Sequence, residues 1–406
     1  MEKKDDFRWL GVWIRLERLR RNWSQEGLCK GLCAVSYLSK IEQSKVPSPN
    51  PDLLRLLCQR LDGAWQDDPA VLAPLRQRVE DFYEAFLDDD FRGVNRNYQA
   101  IIDQWETCCH SPLLLDALII GYQDENDDIR LSEAEQTVLR EVEPVLSHRQ
   151  KTVYKLSVGR GLELLEENPS SRDYLGVGVQ YYEKGSYTRA VELLQTAYQM
   201  AAQEGRVNLM LSARTFSGNC YANLLDYTQM AAHYQVAEKI ALALGAGEKL
   251  KDIRYNAAST ALELGRTEEA YRYFHRVCGE KAPPEKVTIM GLHKLALCCE
   301  KLGYREEALS ALDRAKKANV TFPDRETALS ICELVRYRLT HLDYLHDPLY
   351  GEMLTGCFEQ MVAELPMGYA GLHVPYLLEW YTENRMYKDA YQLLLRFPST
   401  PWKPPV

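Results

Sequence analysis

Gly178, Tyr181, Gly185, Tyr187, Ala190, Leu194 and Ala197 recur forty residues later as Gly218, Tyr221, Leu225, Tyr227, Met230, Tyr234 and Ala237. A further shift of forty gives Ala258, Ala261, Gly265, Thr267, Ala270, Phe274 and Val277, and one of 38 gives Ala296, Cys299, Gly303, Arg305, Ala308, Leu312 and Ala315. Leu378, Tyr381, Tyr387, Ala390 and Leu394 carry a last copy, and the interval from Ala308 to Ala390 leaves room for a degenerate copy over 323–365. Such a period holds two helices and a turn. Small residues stand where the two helices touch, and large ones fill the gap to the next copy. Units of this kind bury their apolar faces only against each other, so the pattern predicts a stacked array of helix pairs.

The start of the chain is built differently. Over 24–42 it reads Ser-Gln-Glu-Gly-Leu-Cys-Lys-Gly-Leu-Cys-Ala-Val-Ser-Tyr-Leu-Ser-Lys-Ile-Glu. Ser24 stands as an N-cap ahead of Leu28 and Leu32, Gly31 to Cys33 fit a close turn, and Leu38 and Ile41 share an inward helix face. Ser36, Tyr37, Ser39 and Lys40 are left on the outward face, with groups that reach base edges and phosphates in a major groove. Trp13, Leu16 and Leu19 keep helical spacing before this stretch. A Pro-rich break at 44–51, which includes Lys45, is followed by Leu53, Leu54, Leu57 and Leu61 in another helical pattern.

The region from about Phe7 to Asp62 resembles the five-helix repressor-type (XRE/Cro) helix-turn-helix domain, through Ser24-Gln25, Gly31-Leu32-Cys33 and Ser36-Tyr37-Leu38-Ser39-Lys40-Ile41-Glu42. The resemblance implies that Gln25 opens the second helix against the DNA backbone, that 35–43 enters the major groove, and that Glu42 partners an arginine of the first helix. Ser24, Gln25, Ser36, Tyr37, Ser39, Lys40 and Lys45 are the DNA-contact candidates. The repeats resemble the tetratricopeptide repeat (TPR), whose period is about 34. A helix-turn-helix followed by long-period TPR-like repeats resembles the RRNPP group of peptide-responsive regulators (Rgg, NprR, PlcR and PrgX types).

Charge follows this division. Residues 1–62 hold 12 Lys and Arg against 8 Asp and Glu, and the other 344 hold 37 against 50. A basic end on an acidic body directs nucleic acid to the N-terminus. No apolar run of membrane length and no signal-peptide core occurs, so no membrane association is expected. Eleven scattered cysteines, without a Cys-x-x-Cys, read as core thiols of a reducing cytoplasm rather than metal ligands. Walker A spacing and His-Glu-x-x-His are absent. No enzyme, cofactor or metal is predicted.

In TPR arrays the first helix of each unit lines the concave face. Counting from the Ala190 equivalents places Arg172, Tyr182, Asn219, Asn223, Asp252, Tyr255, Asn256, Ser259, Glu263, His293, Lys294 and Glu300 there. Asparagine amides both donate to and accept from an extended backbone. Asn219, Asn223 and Asn256, with Tyr255 and His293, are the peptide-contact candidates.

The expected architecture is all-α: a five-helix repressor-type domain (1–64), a linker helix (65–90), degenerate helical repeats (91–170), a right-handed TPR-like solenoid (171–397) and a Pro-rich tail (398–406). The expected function is a homodimeric, cytoplasmic transcription regulator of a double-stranded DNA operator, modulated by a short oligopeptide. A TPR protein-binding scaffold and a response-regulator phosphatase-like protein are the alternatives.

Overall fold

The computed structural model describes residues 8–62, 65–122, 129–166, 168–224, 226–320, 324–365 and 367–397. The Pro-rich segment 398–406 and Leu225 of the second repeat lie outside them. Among the described residues there are helices and no strands. None of these helices is long and apolar enough to cross a membrane. The chain divides into two units, Met1–Val177 with Gln199–Leu209, and Gly178–Tyr198 with Met210–Val406.

In the first unit, α1 (Arg8–Arg20), α2 (Gln25–Cys29), α3 (Val35–Glu42) and α4 (Pro51–Arg60) are followed by α5 (Pro69–Leu87) and α6 (Phe91–Ile102). Local chemistry sets the helix starts. The Ser24 hydroxyl accepts from the Gly27 amide, Asn50, just before Pro51, accepts from the Asp52 and Leu53 amides, and Asp68, just before Pro69, accepts from the Ala70 amide. The first 62 residues thus hold four described helices, and the fifth is α5. Its stripe of Leu72, Leu75, Val79, Phe82, Tyr83 and Phe86 is buried. Gly93 lies inside α6, where a Cβ would strike Asp90 and Ala85.

Next come α7 (Trp105–Cys109), α8 (Leu114–Gly121), α9 (Glu133–Val142) and α10 (His148–Ser157). Ser132 and Glu135 form a reciprocal capping box at the start of α9. One apolar core runs from Leu10 to Tyr154, so α1 to α4 and the helices after them are packed together. The reason lies in α1. Leu10, Val12, Trp13, Ile14 and Leu16 are all buried, which leaves α1 apolar round most of its circumference. Helices α3 and α4 cover part of it, and α8 and α9 cover more.

The repeats form pairs: α11 (Ser171–Glu183) with α12 (Tyr187–Glu204), α13 (Val207–Asn223) with α14 (Tyr227–Ala243), α15 (Gly247–Glu263) with α16 (Thr267–Cys278), and α17 (Ile289–Leu302) with α18 (Arg305–Ala315). The stretch read as a degenerate copy holds α19 (Arg325–Thr340) and α20 (Pro348–Glu364). After α21 (Met367–Gly371), the last pair is α22 (Val374–Glu383) and α23 (Tyr387–Arg396). The repeated small residues sit at the crossings. A Cβ on Gly178 would press on Leu194, and one on Gly218 would overlap the Tyr234 ring. Ala190, Ala197, Ala237, Ala270, Ala308 and Ala315 have no exposed surface. The turn between helices needs a left-handed residue, supplied by Gly185, Gly265 and Gly303 at φ 74, 74 and 80°, and in the last pair by Arg385 at φ 58°.

Candidate nucleic-acid face and peptide groove

Helix α3 is fixed from beneath by a buried polar lock. The Arg18 guanidinium of α1 donates through Nε to Glu42 Oε1 (2.7 Å) and through Nη2 to Oε2 (2.9 Å). Its Nη1 donates to the Trp23 carbonyl (2.8 Å), which holds the turn into α2. The Gln25 amide nitrogen donates to Glu42 Oε2 (2.7 Å). Glu42 is thus the arginine partner that the resemblance implied, and the Gln25 amide points inward as well. Gly11 makes the contact possible, because an added Cβ would lie 2.1 Å from the Ile41 carbonyl oxygen.

The opposite face of α3 is open. Ser36 and Lys40 are exposed, together with Val35, while Tyr37 and Ser39 are half-buried. Ser39 Oγ accepts from Gln43 (3.4 Å). Ser24 is exposed, but its hydroxyl is engaged as the cap of α2 at 3.0 Å from the Gly27 amide. Lys45 is exposed beyond the end of α3. Its charge acts on Glu141 of α9, whose carboxyl is held below the usual range by Arg15 first and by Lys45 to a smaller extent.

The basic character of the N-terminal segment is less available than its sequence suggests. Arg15 pairs with Glu141, Arg20 with Glu17 (2.7 Å) and Glu135 (2.8 Å), Arg21 with Glu17, and Arg18 with Glu42. The acids at 135 and 141 come from α9, and no local spacing in the sequence announces them. The Arg60 guanidinium donates to the carbonyls of Leu28 and Lys30 (2.8 and 2.7 Å) and closes the end of α2.

In the second unit, the first helices of two successive pairs, α13 and α15, meet. Asn256 of α15 donates through Nδ2 to Asn219 Oδ1 of α13 (3.1 Å), and the Tyr234 hydroxyl of α14 donates to the same oxygen (2.6 Å). Lys249 of α15 reaches the Ser212 hydroxyl of α13 (2.7 Å). Asn219 and Asn256 are therefore brought together, half-buried, with one carbonyl shared between two donors. Asn223 donates to the Asn219 backbone carbonyl (2.8 Å) and closes the end of α13. Tyr255 is half-buried edge-on to Phe274 at 5.5 Å. His293 is 2% exposed, further from solvent than a groove position implies.

Two features were not readable from the repeat. Tyr369 of α21 acts on the phenols of both Tyr182 and Tyr255, which burial pushes upward, so α21 lies near both α11 and α15. Glu263 keeps accessible surface, yet desolvation raises its carboxyl pKa. Arg172, counted as a groove residue, instead belongs to the first unit, paired with Asp89 (3.0 Å) and stacked over Phe86 at 4.4 Å.

No protein family and no curated protein matches this chain by sequence. Solved structures do. A Rap protein complexed with competence and sporulation factor superposes with a TM-score of 0.56 at 14% identity, over 81% of this chain and 97% of that one. The apo form of the quorum sensor NprR from B. thuringiensis superposes with a TM-score of 0.51 at 14% identity, over 81% of this chain and 99% of that one. Both belong to the RRNPP group that the sequence resembles, and the likeness is one of fold.

Proposed function

We propose that this chain is a transcription regulator that binds double-stranded DNA through α3 and takes a short peptide along the inner wall of its repeat unit. The observation that carries the reading is the Arg18–Glu42–Gln25 lock. It fixes α3 from its buried side and consumes none of the outward groups of Ser36 and Lys40. Base and phosphate contact needs that arrangement: a rigid helix with its polar face free. The peptide arm is supported by the Asn219–Asn256 pair, whose remaining amide groups match an extended backbone. The fold shared with a quorum sensor and with a Rap protein holding its factor supports it too.

As a homodimer, two copies of α3 address two half-sites, and the peptide acts by binding two arrangements of the dimer with different affinity. A reducing cytoplasm suits the eleven free thiols. The fold likeness to a Rap protein favours a second reading, in which the repeats hold a response regulator and α3 is idle. Sheared genomic DNA is passed over the full-length protein, and the retained fragments are sequenced. One fragment class is enriched, Lys40→Ala weakens its binding, and the slope of log K against log salt falls by about one. Retention without sequence preference, together with turnover of a phosphorylated response regulator, moves the assignment to the second reading.

A further inference from the structure

Lys294 lies on α17 at the position 38 residues after Asn256, the same interval that carries Ala258 to Ala296. It therefore continues the line of groove positions one unit further. The residue is 3% exposed, and no hydrogen bond or ion pair of its ammonium is found among the described residues. Its surroundings are basic. His293 beside it is 2% exposed with Nδ1 lacking any partner, and His373, just ahead of α22, is 7% exposed. Burial holds both imidazoles far below their ordinary pKa, so they are neutral, with His373 pushed down to about 3. Each of the two feels the charges of Lys294 and Arg338.

The acids nearby do not complete the set. Glu300 is taken by Arg338, which binds it at 2.7 and 2.8 Å and stacks over Tyr376. Glu263 acts on Lys294 but stands beyond ion-pair distance. A buried ammonium without a counter-ion is costly, and such a group is ordinarily paired or deprotonated. Its retention on the groove line points to a partner that arrives from outside. One ammonium balances one negative charge, and Glu263 opposes any greater one.

We propose that Lys294, flanked by His293 and His373, is an anion site of the groove that receives a carboxylate of the bound peptide. The inference rests on the peptide reading above. Neighbouring helix axes lie about 8–10 Å apart, which an extended chain crosses in about three residues. A peptide held by Asn219 and Asn256 thus brings a residue about three positions further on to Lys294.

The test uses the full-length protein and three randomised heptapeptide pools, with retained peptides sequenced by mass spectrometry. The first pool lacks Asp and Glu and has free C-termini, the second is the same pool amidated, and the third is amidated but contains Asp and Glu. The protein retains at least tenfold more from the first or third pool than from the second. The first alone identifies a terminal carboxylate, and the third alone an acidic side chain. Lys294→Gln removes the preference. Glu263→Gln, which frees the ammonium of its competing acid, strengthens it. Equal retention from all three pools, or a preference that survives Lys294→Gln, overturns the carboxylate site and leaves the peptide reading standing. Retention from none overturns both.

Discussion

Arg18 and Glu42 are 24 residues apart and hold each other through two hydrogen bonds with side chains only 9% and 1% exposed. The pair ties α1 to α3, and Gln25 adds α2 to the same carboxylate. Removing one partner strands the other charge in the interior. Glu42→Gln is expected to cost about 3–5 kcal/mol, read from urea unfolding of the first unit by tryptophan fluorescence. The double replacement Arg18→Met, Glu42→Leu leaves no orphaned charge and recovers more than half of that loss. A single-variant cost under about 1 kcal/mol, the range of an exposed pair, contradicts the buried lock.

Gly11 is where α1 comes closest to α3. In Gly11→Ala the new methyl meets the Ile41 carbonyl oxygen, a backbone atom that cannot rotate away, so the two helices must part. Overpacking of this kind costs about 1–3 kcal/mol or more, and α3 loses its setting. Gly31→Ala is the control. Its φ of 76° is unfavourable for alanine, but nothing lies within 4 Å, so the cost is limited to about 1–2 kcal/mol of backbone strain. Thermal unfolding of the two variants, side by side, ranks them; Gly11→Ala as mild as Gly31→Ala refutes the close approach.

Asn219 accepts from two donors through one oxygen, the Tyr234 hydroxyl and the Asn256 amide. Asn219→Ala leaves both without an acceptor, for about 1–3 kcal/mol. Tyr234→Phe removes only one donor and costs about 1 kcal/mol. A double-mutant cycle between 219 and 234 gives a coupling energy of the same sign as the hydrogen bond. Strict additivity is the outcome that breaks this account.

Acid sensitivity follows from three buried histidines of the second unit. Burial lowers His233 to about 4 and His373 to about 3, and lowers His293 well below its ordinary value of 6.5. The unfolded chain then binds protons that the folded one refuses, so stability is fully present above pH 6.5 and falls as pH drops through that value toward 4. Each histidine contributes a slope of up to about 1.4 kcal/mol per pH unit. Denaturation midpoints of the second unit between pH 6.5 and 4.5 fall steeply, and His373→Asn flattens the fall. An unchanged slope in that variant removes His373 from the explanation.

The helix pairs were legible because their determinants are periodic and local. Gly178 against Leu194 and Gly218 against Tyr234 are contacts between positions 16 apart in one repeat, and the repeat displays them several times over. The cap at Ser24 was legible for the same reason, since it acts on an amide three residues on. The groove was only partly legible. Counting along the repeat finds Asn219 and Asn256 on one line, but the burial of His293 and the approach of Tyr369 depend on how the array curves. No single repeat carries that information. Arg172 was misplaced because the count assumed that the first unit of the array is like the rest, whereas its helix turns this side chain to Asp89 and Phe86.

By itself the sequence determined that this protein is helical, that its second half is a stack of paired helices, and that 24–42 presents a polar helix face. Periodicity and capping fix these, because each acts over a few residues. Only the tertiary structure decided which charges are free. Arg15 and Arg20 count toward the basic charge of the N-terminal segment in the sequence and are bound to Glu141 and Glu135, more than a hundred residues away. Lys294 reads as one more groove position in the sequence and is a buried ammonium with no acid within ion-pair distance among the described residues. A charge is available or spent according to what folding brings within a few ångströms of it, and chain distance does not enter that sum.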